Sequence, residues 1–147
     1  MTVLGLELEP DAGPHELRFQ PAGLHELDQA IQQTYQRLIS EWRSEPESQP
    51  RIRLFLDEAM TNAWRHGNQQ SAQLPITVRW GQHNGYSIVV EDGGKGFDPG
   101  QLPDPRSPAE LQQETGRGVF LIRASCEWAE WKKSGTRLVA RMGCPGS

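Results

Sequence analysis

Glu58, Asn62 and His66 stand four residues apart in the stretch Glu58-Ala59-Met60-Thr61-Asn62-Ala63-Trp64-Arg65-His66-Gly67. On a helix, steps of four place side chains in one stripe. A carboxylate, an amide and an imidazole would therefore line up. Ile52, Phe55, Leu56, Ala59 and Ala63 cluster on one side of the same helix, and the polar stripe borders that side instead of opposing it. Such a border has two readings. Its groups line a pocket floor, where water or a ligand satisfies them, or they form a solvated edge of i,i+4 polar pairs. Two glycine clusters follow. In Val89-Val90-Glu91-Asp92-Gly93-Gly94-Lys95-Gly96-Phe97 an apolar run meets three glycines within four positions. Glycine there lets a ligand come close to the backbone. Gly116-Arg117-Gly118 stands just before Val119-Phe120-Leu121-Ile122, where a glycine-rich turn would feed a helix N-terminus. Free N–H groups and the helix dipole make such an end an anion site, with phosphate the usual anion. Each cluster by itself reads equally well as a plain tight turn. Gly116 to Leu121 spells G-x-G-x-x-L, but no βαβ unit surrounds it, so the dinucleotide fingerprint does not apply.

These residues need elements to hold them. His15 to Gln20 alternates polar and apolar and predicts a strand; Leu4 to Glu9 predicts another beside it. A helix is expected from Pro21, with Leu24, Leu27, Ile31, Thr34/Tyr35, Leu38 and Trp42 on its apolar face. Ser44 to Pro50 breaks it, and a second helix is expected from about Pro50 to His66, stopped by Gly67-Asn68. Ile76, Val78 and Trp80 alternate with Thr77 and Arg79, and Ser87 to Glu91 follows the turn signal Asn84-Gly85, so the two runs predict a hairpin. Four prolines between Asp98 and Pro108 forbid regular structure there. A short helix from about Gly118, a strand Glu127 to Lys133, a Ser134-Gly135 turn and a strand Thr136 to Met142 complete the order. The expected fold is an α/β two-layer sandwich: a mixed, mostly antiparallel sheet with about three helices on one face.

In order along the chain stand E-x-x-x-N-x-x-x-H-G, D-x-G-x-G, G-x-G-x-x-L and Gly135-Thr136. This combination resembles the ATP-binding (Bergerat) fold shared by DNA gyrase, histidine kinases and MutL-type ATPases. The likeness runs from Ile52 to Met142, roughly two-thirds of the chain. Within that superfamily the chain is most similar to the anti-sigma-factor serine-protein kinases, through Glu58 to Gly67 and through Thr115-Gly116-Arg117-Gly118-Val119-Phe120-Leu121-Ile122. The resemblance implies roles. Asn62 would bind Mg²⁺ through its amide oxygen, since Mg²⁺ takes few protein ligands and relies on phosphates and water. Glu58 would be the general base toward the attacking hydroxyl. Asp92 would accept from the adenine amino group, with Thr136 supporting that contact. Gly94 and Gly96 would let the purine lie against the backbone. Gly116 and Gly118 would wrap the phosphates of ATP, and Arg117 beside them would neutralise γ-phosphate charge. The Pro-rich segment between Phe97 and Thr115 would be a lid; it offers only Arg106, with Lys95 ahead of it, as cations before Arg117.

Composition bounds the rest. A chain of 147 residues reads as one domain, 1–147. Its net charge of −4 and lack of any basic block argue against direct nucleic-acid binding. No apolar run approaches the ~20 residues of a membrane helix. The N-terminus has no basic n-region and reads as no signal peptide. Cys126 and Cys144 have no C-x-x-C spacing, Cys126 reads as a small core residue, and a cytoplasmic setting is the default. His15, His25 and His83 have no metal-ligand spacing; His66 reads better as a helix-end cap than as a catalyst. The five Trp read mostly as core or interface residues; Trp64 falls off the core side of its helix, which leaves a partner-facing role open to it. The resemblance implies a serine-protein kinase that phosphorylates a STAS-type anti-anti-sigma protein and holds a sigma factor or another regulator, with homodimerisation. The alternatives are a non-catalytic ATP-binding module and a histidine-kinase-like catalytic domain acting in trans, since none of the four His lies in an upstream dimerisation helix.

Overall fold

The computed structural model describes residues 15–42, 46–82, 85–95, 114–133 and 135–143, with the backbone alone at 114–116. The expected strand at Leu4 to Glu9, Gly96 and the Pro-rich lid lie outside the described residues. Strand β1 (His15–Phe19) leads into helix α1 (Leu24–Trp42). Glu26 starts that helix by reaching back to accept the Ala22 N–H at 2.8 Å, which satisfies a donor that has no partner within the helix. The stripe Leu27, Ala30, Ile31, Thr34, Leu38 and Trp42 is buried, at steps of three and four. The Thr34 hydroxyl satisfies itself inside the core by donating to the Ala30 carbonyl at 2.8 Å. Leu24, counted on the apolar face, is 59% exposed, because the helix makes its first contact with the core one turn later, at Leu27.

Helix α2 (Gln49–Asn62) has Pro50 in its first turn, where the missing N–H costs nothing. It buries Ile52, Phe55, Leu56, Ala59 and Met60. At Ala63 the α-pattern gives way to a π-turn, Ala63–Gly67, closed by the Asn68 N–H donating to the Ala63 carbonyl at 2.8 Å. A regular helix to His66 was expected, so the extra residue in the turn is a correction. Trp64 is a second one. It is buried, and its indole N–H donates to the Pro21 carbonyl at 3.2 Å. A wheel drawn for one helix cannot show that the β1–α1 connection covers that side.

Strands β2 (Ile76–Gln82) and β3 (Tyr86–Asp92) pair as the expected hairpin, with Gly85 at φ +113°. Helix α3 (Glu114–Ala124) is followed by β4 (Trp128–Lys132) and β5 (Arg137–Gly143). The sheet order is β1-β2-β3-β5-β4, and every pairing among the described residues is antiparallel, in keeping with the expected mostly antiparallel sheet. One sheet face carries Ile76, Val78, Trp80, Ile88, Val90, Leu138, Ala140 and Met142 into a single core with the helices. Val89 and Val139 pair on the opposite face. The result is a two-layer α/β sandwich with three helices on the sheet. Among the described residues no helix is long and apolar enough to cross a membrane.

Phe55 has no exposed surface at the α2–sheet interface. Phe55→Ala should therefore cost about 3–5 kcal/mol in urea unfolding, while Leu24→Ala on the exposed first turn should stay within about 0.5 kcal/mol.

Candidate functional site

The ends of three elements meet beside α2. Strand β3 ends at Asp92, whose backbone N–H donates to the Thr136 carbonyl at 2.9 Å, just ahead of β5. The chain then turns through Gly93 and Gly94, and the Gly94 N–H donates to Asp92 Oδ1 at 2.8 Å. This turn lies directly on the π-turn. A Cβ built on Gly67 would overlap the Asp92 carboxylate, and one on Gly94 would overlap the Gly67 carbonyl oxygen. Both positions therefore require glycine for packing. Gly67 was read from the sequence only as a helix stop.

A small, partly open cleft lies between these elements, lined by Asn62, Asp92, Gly135 and Thr136 and floored by apolar residues that include Ala59 and Ile122. Of the polar side chains expected to meet a nucleotide, the cleft thus gathers Asn62, Asp92 and Thr136. The Thr136 hydroxyl donates to the Lys133 carbonyl at 2.9 Å, so Thr136 reaches Asp92 through its backbone carbonyl.

Glu58 stands one turn ahead of Asn62, and both are half-buried. They face Gly118: a Cβ there would lie 3.4 Å from Glu58 Oε1 and 3.5 Å from Asn62 Oδ1. The α2 stripe thus lines the cleft at Asn62, with Glu58 one turn away against Gly118. His66, its third member, lies exposed on the π-turn, outside the lining of the cleft. Partial burial and the neighbouring Arg65 hold its imidazole below the usual range. Helix α3 begins at Glu114, not at Gly118. Gly116 and Gly118 are therefore helical, and the expected glycine turn feeding a helix is corrected. Gly118 serves as the smooth surface that lets α3 approach the Glu58–Asn62 pair. Arg117 is exposed, and its charge acts on Glu58. Lys95 is exposed just beyond the glycine turn.

The electrostatics single out two carboxylates. Burial, then the like charge of Asp57, pushes Glu58 up from the ordinary carboxylate range, against the pull of Arg117. Burial pushes Asp92 up to about 6, with Glu91 adding to the rise and the Gly94 N–H opposing it. Buried carboxyls perturbed in this way at a cleft mark functional positions.

The donor set can be tested against ATP and Mg²⁺. Among the described residues no three His, Cys, Asp or Glu side chains converge to hold a metal. Asn62 by itself suits an ion that keeps phosphate and water ligands. The missing side chains at Gly94 and Gly118 are taken up by packing, against Gly67 and against the Glu58–Asn62 pair.

Asn68 was read only as part of a stop signal, yet it is 1% exposed. Its Oδ1 accepts the Gly93 N–H at 2.8 Å, and its Nδ2 donates to the carbonyls of Leu74 at 3.2 Å and Pro75 at 3.0 Å. A polar residue directly after the HG pair was the only signal available in the sequence.

A family model described as the histidine kinase-like ATPase domain matches residues 21–143. No curated protein matches the chain.

The raised Asp92 value has a definite sign. Ionising this group opposes folding, and that penalty is absent below the ordinary 3.8 and complete above about 6. Asp92→Asn should be more stable to urea than the wild type at pH 7, by on the order of 1 kcal/mol after allowance for solvent screening. The difference should close as the pH falls through 6 toward 4. On the adenine-acceptor role that the resemblance implies for Asp92, the same variant should also bind ATP more weakly in calorimetry, because that acceptor would lose its charge.

Proposed function

The chain belongs to the histidine kinase-like ATPase domain family, and on that footing we propose that it is an ATP-dependent serine-protein kinase of the anti-sigma type. The observation that carries the reading is the Glu58–Asn62 pair, half-buried one helical turn apart and facing Gly118, beside the cleft that holds Asp92. A module that only binds nucleotide needs Asp92 and the glycine surfaces. It has no use for a half-buried carboxylate whose proton affinity is raised.

In this reading Asp92 accepts a hydrogen bond from the adenine amino group, and the Gly93-Gly94 backbone lies against the purine. Asn62 contributes its amide oxygen to Mg²⁺, which when bound neutralises phosphate charge. Arg117, exposed at the head of α3, adds positive charge on the same side. A serine hydroxyl of the partner forms a new O–P bond to the γ-phosphorus while the bond to the β–γ bridging oxygen breaks and ADP leaves. The hydroxyl proton passes to a Glu58 carboxylate oxygen, and burial of that carboxylate strengthens its hold on the proton. Apolar walls such as Ile122 keep water from competing for the phosphoryl group.

The partner that fits is a small STAS-type anti-anti-sigma protein bearing the acceptor serine. Phosphorylating it would release the kinase to hold a sigma factor or another regulator, a cytoplasmic partner switch in which a homodimer of this chain takes part.

Glu58→Gln keeps the shape of the side chain and removes the base. It should bind ATP within about threefold of the wild type yet transfer phosphate at least about 100-fold more slowly. The measurement is labelled ATP with Mg²⁺ and a STAS-type partner. Label on the partner's serine supports the kinase reading, and label on a histidine supports a histidine-kinase-like domain acting in trans. Undiminished transfer by Glu58→Gln would remove Glu58 from the role of base.

A further inference from the structure

We propose that Asn68 is a positioning residue for base recognition. Its carboxamide holds the Asp92-Gly93-Gly94 turn at the depth where the Asp92 carboxylate can read a nucleobase. The proposal rests on the nucleotide-site reading and adds the residue that makes the reading end of the site rigid.

Asn68 joins three segments. Its backbone N–H closes the π-turn on the Ala63 carbonyl at 2.8 Å. Its Nδ2 donates to the Leu74 and Pro75 carbonyls, at 3.2 and 3.0 Å, on the connection into β2. Its Oδ1 accepts the Gly93 N–H at 2.8 Å, inside the turn that follows β3. Only a carboxamide meets all three demands, since it offers two donors and an acceptor from one planar group. Aspartate would set an oxygen against two carbonyls, and leucine would remove the acceptor of the Gly93 N–H.

The placement of this bond makes it functional as well as structural. Gly93 is bonded to Asn68, while its neighbours on either side, Asp92 and Gly94, are bonded to each other. On the other flank Gly93 is pressed against Pro75: a Cβ on Gly93 would lie 2.9 Å from Pro75 Cδ. Asn68 and Pro75 therefore confine the turn from two sides, and Gly67 receives the Asp92 carboxylate beneath it. Glu58 and Asn62 sit on regular α2, ahead of the π-turn. Losing the Asn68 carboxamide releases the reading end of the site without moving the end that carries the base.

That separation yields a signature that general destabilisation would not produce. In the full chain, Asn68→Ala should weaken ATP binding by about tenfold or more, as expected when a recognition group loses its position. It should weaken GTP binding much less, so that the preference for ATP narrows. Turnover at saturating ATP should stay within about threefold of the wild type. Asn68→Asp keeps an acceptor for Gly93 and should recover part of the ATP preference. Calorimetry with ATP and GTP, together with transfer rates, supplies these values. An unchanged ATP-to-GTP ratio, or a fall in turnover matching the fall in affinity, would overturn the proposal. If neither variant folds, amide exchange on the wild type decides. ATP should slow exchange at Gly93 and at the Asn68 carboxamide together; protection of Gly94 with no change at Gly93 and Asn68 counts against the clamp. Wild-type protein that binds neither nucleotide would overturn the nucleotide-site reading itself, whereas an unchanged ratio in Asn68→Ala overturns only the role of Asn68.

Discussion

The carboxylate of Asp92 can lie against the end of α2 only because Gly67 and Gly94 have no side chains, and the rest of the site follows from that contact. The glycine turn after β3 rests on the π-turn after α2, with the Gly67 carbonyl against Gly94. One extra residue in the helix end sets the direction in which Gly67 and Asn68 leave α2. π-turns of this kind are often found where a helix must present a group to a site. Here the turn lets α2 carry Glu58 and Asn62 on regular backbone while its end grips the strand that carries Asp92.

The same contact has an energetic cost. Placing Asp92 and Glu58 in partly dry surroundings raises both above ordinary carboxylates. Among the described residues, Gly94 offers Asp92 a single N–H, and Arg117 acts on Glu58 from an exposed position. A protein that needed only stability would place neutral groups there. Retaining two such carboxylates is what a site does when charge must meet a ligand or take a proton.

The remainder of the fold is a rigid support for this edge. The core face of the sheet is apolar, and the Trp80 indole in it donates to Glu41 at 3.0 Å. At the end of β3 away from the site, Trp42 stacks on Tyr86 with ring centroids 4.4 Å apart. The Trp64 indole ties the π-turn to the β1–α1 connection.

Most of this organisation was legible in the chain. Spacings of three and four placed the buried stripes of α1 and α2, alternation placed β1 and β2, and the Asn84-Gly85 turn signal placed β3, because these patterns depend only on local repeats and turns. Glu58 and Asn62 were recognisable because one helical turn separates them, and Asp92 because a strand ends there in glycines. What local reasoning could not reach were contacts between elements. Trp64 looked outward on its own wheel, yet it is covered by Pro21. Gly116 and Gly118 looked like a loop, yet they lie in α3, where Gly118 meets Glu58 and Asn62. Gly67 and Asn68 looked like a helix stop, yet they hold Asp92 and Gly93. The sequence by itself determined which residues share a face and which chemistry they can offer, since side-chain period and residue type are local properties. Only the tertiary structure decided which faces meet, and so which carboxylates are buried and which glycines must be glycine. Burial and close approach belong to pairs of elements far apart in the chain, and no local pattern encodes them.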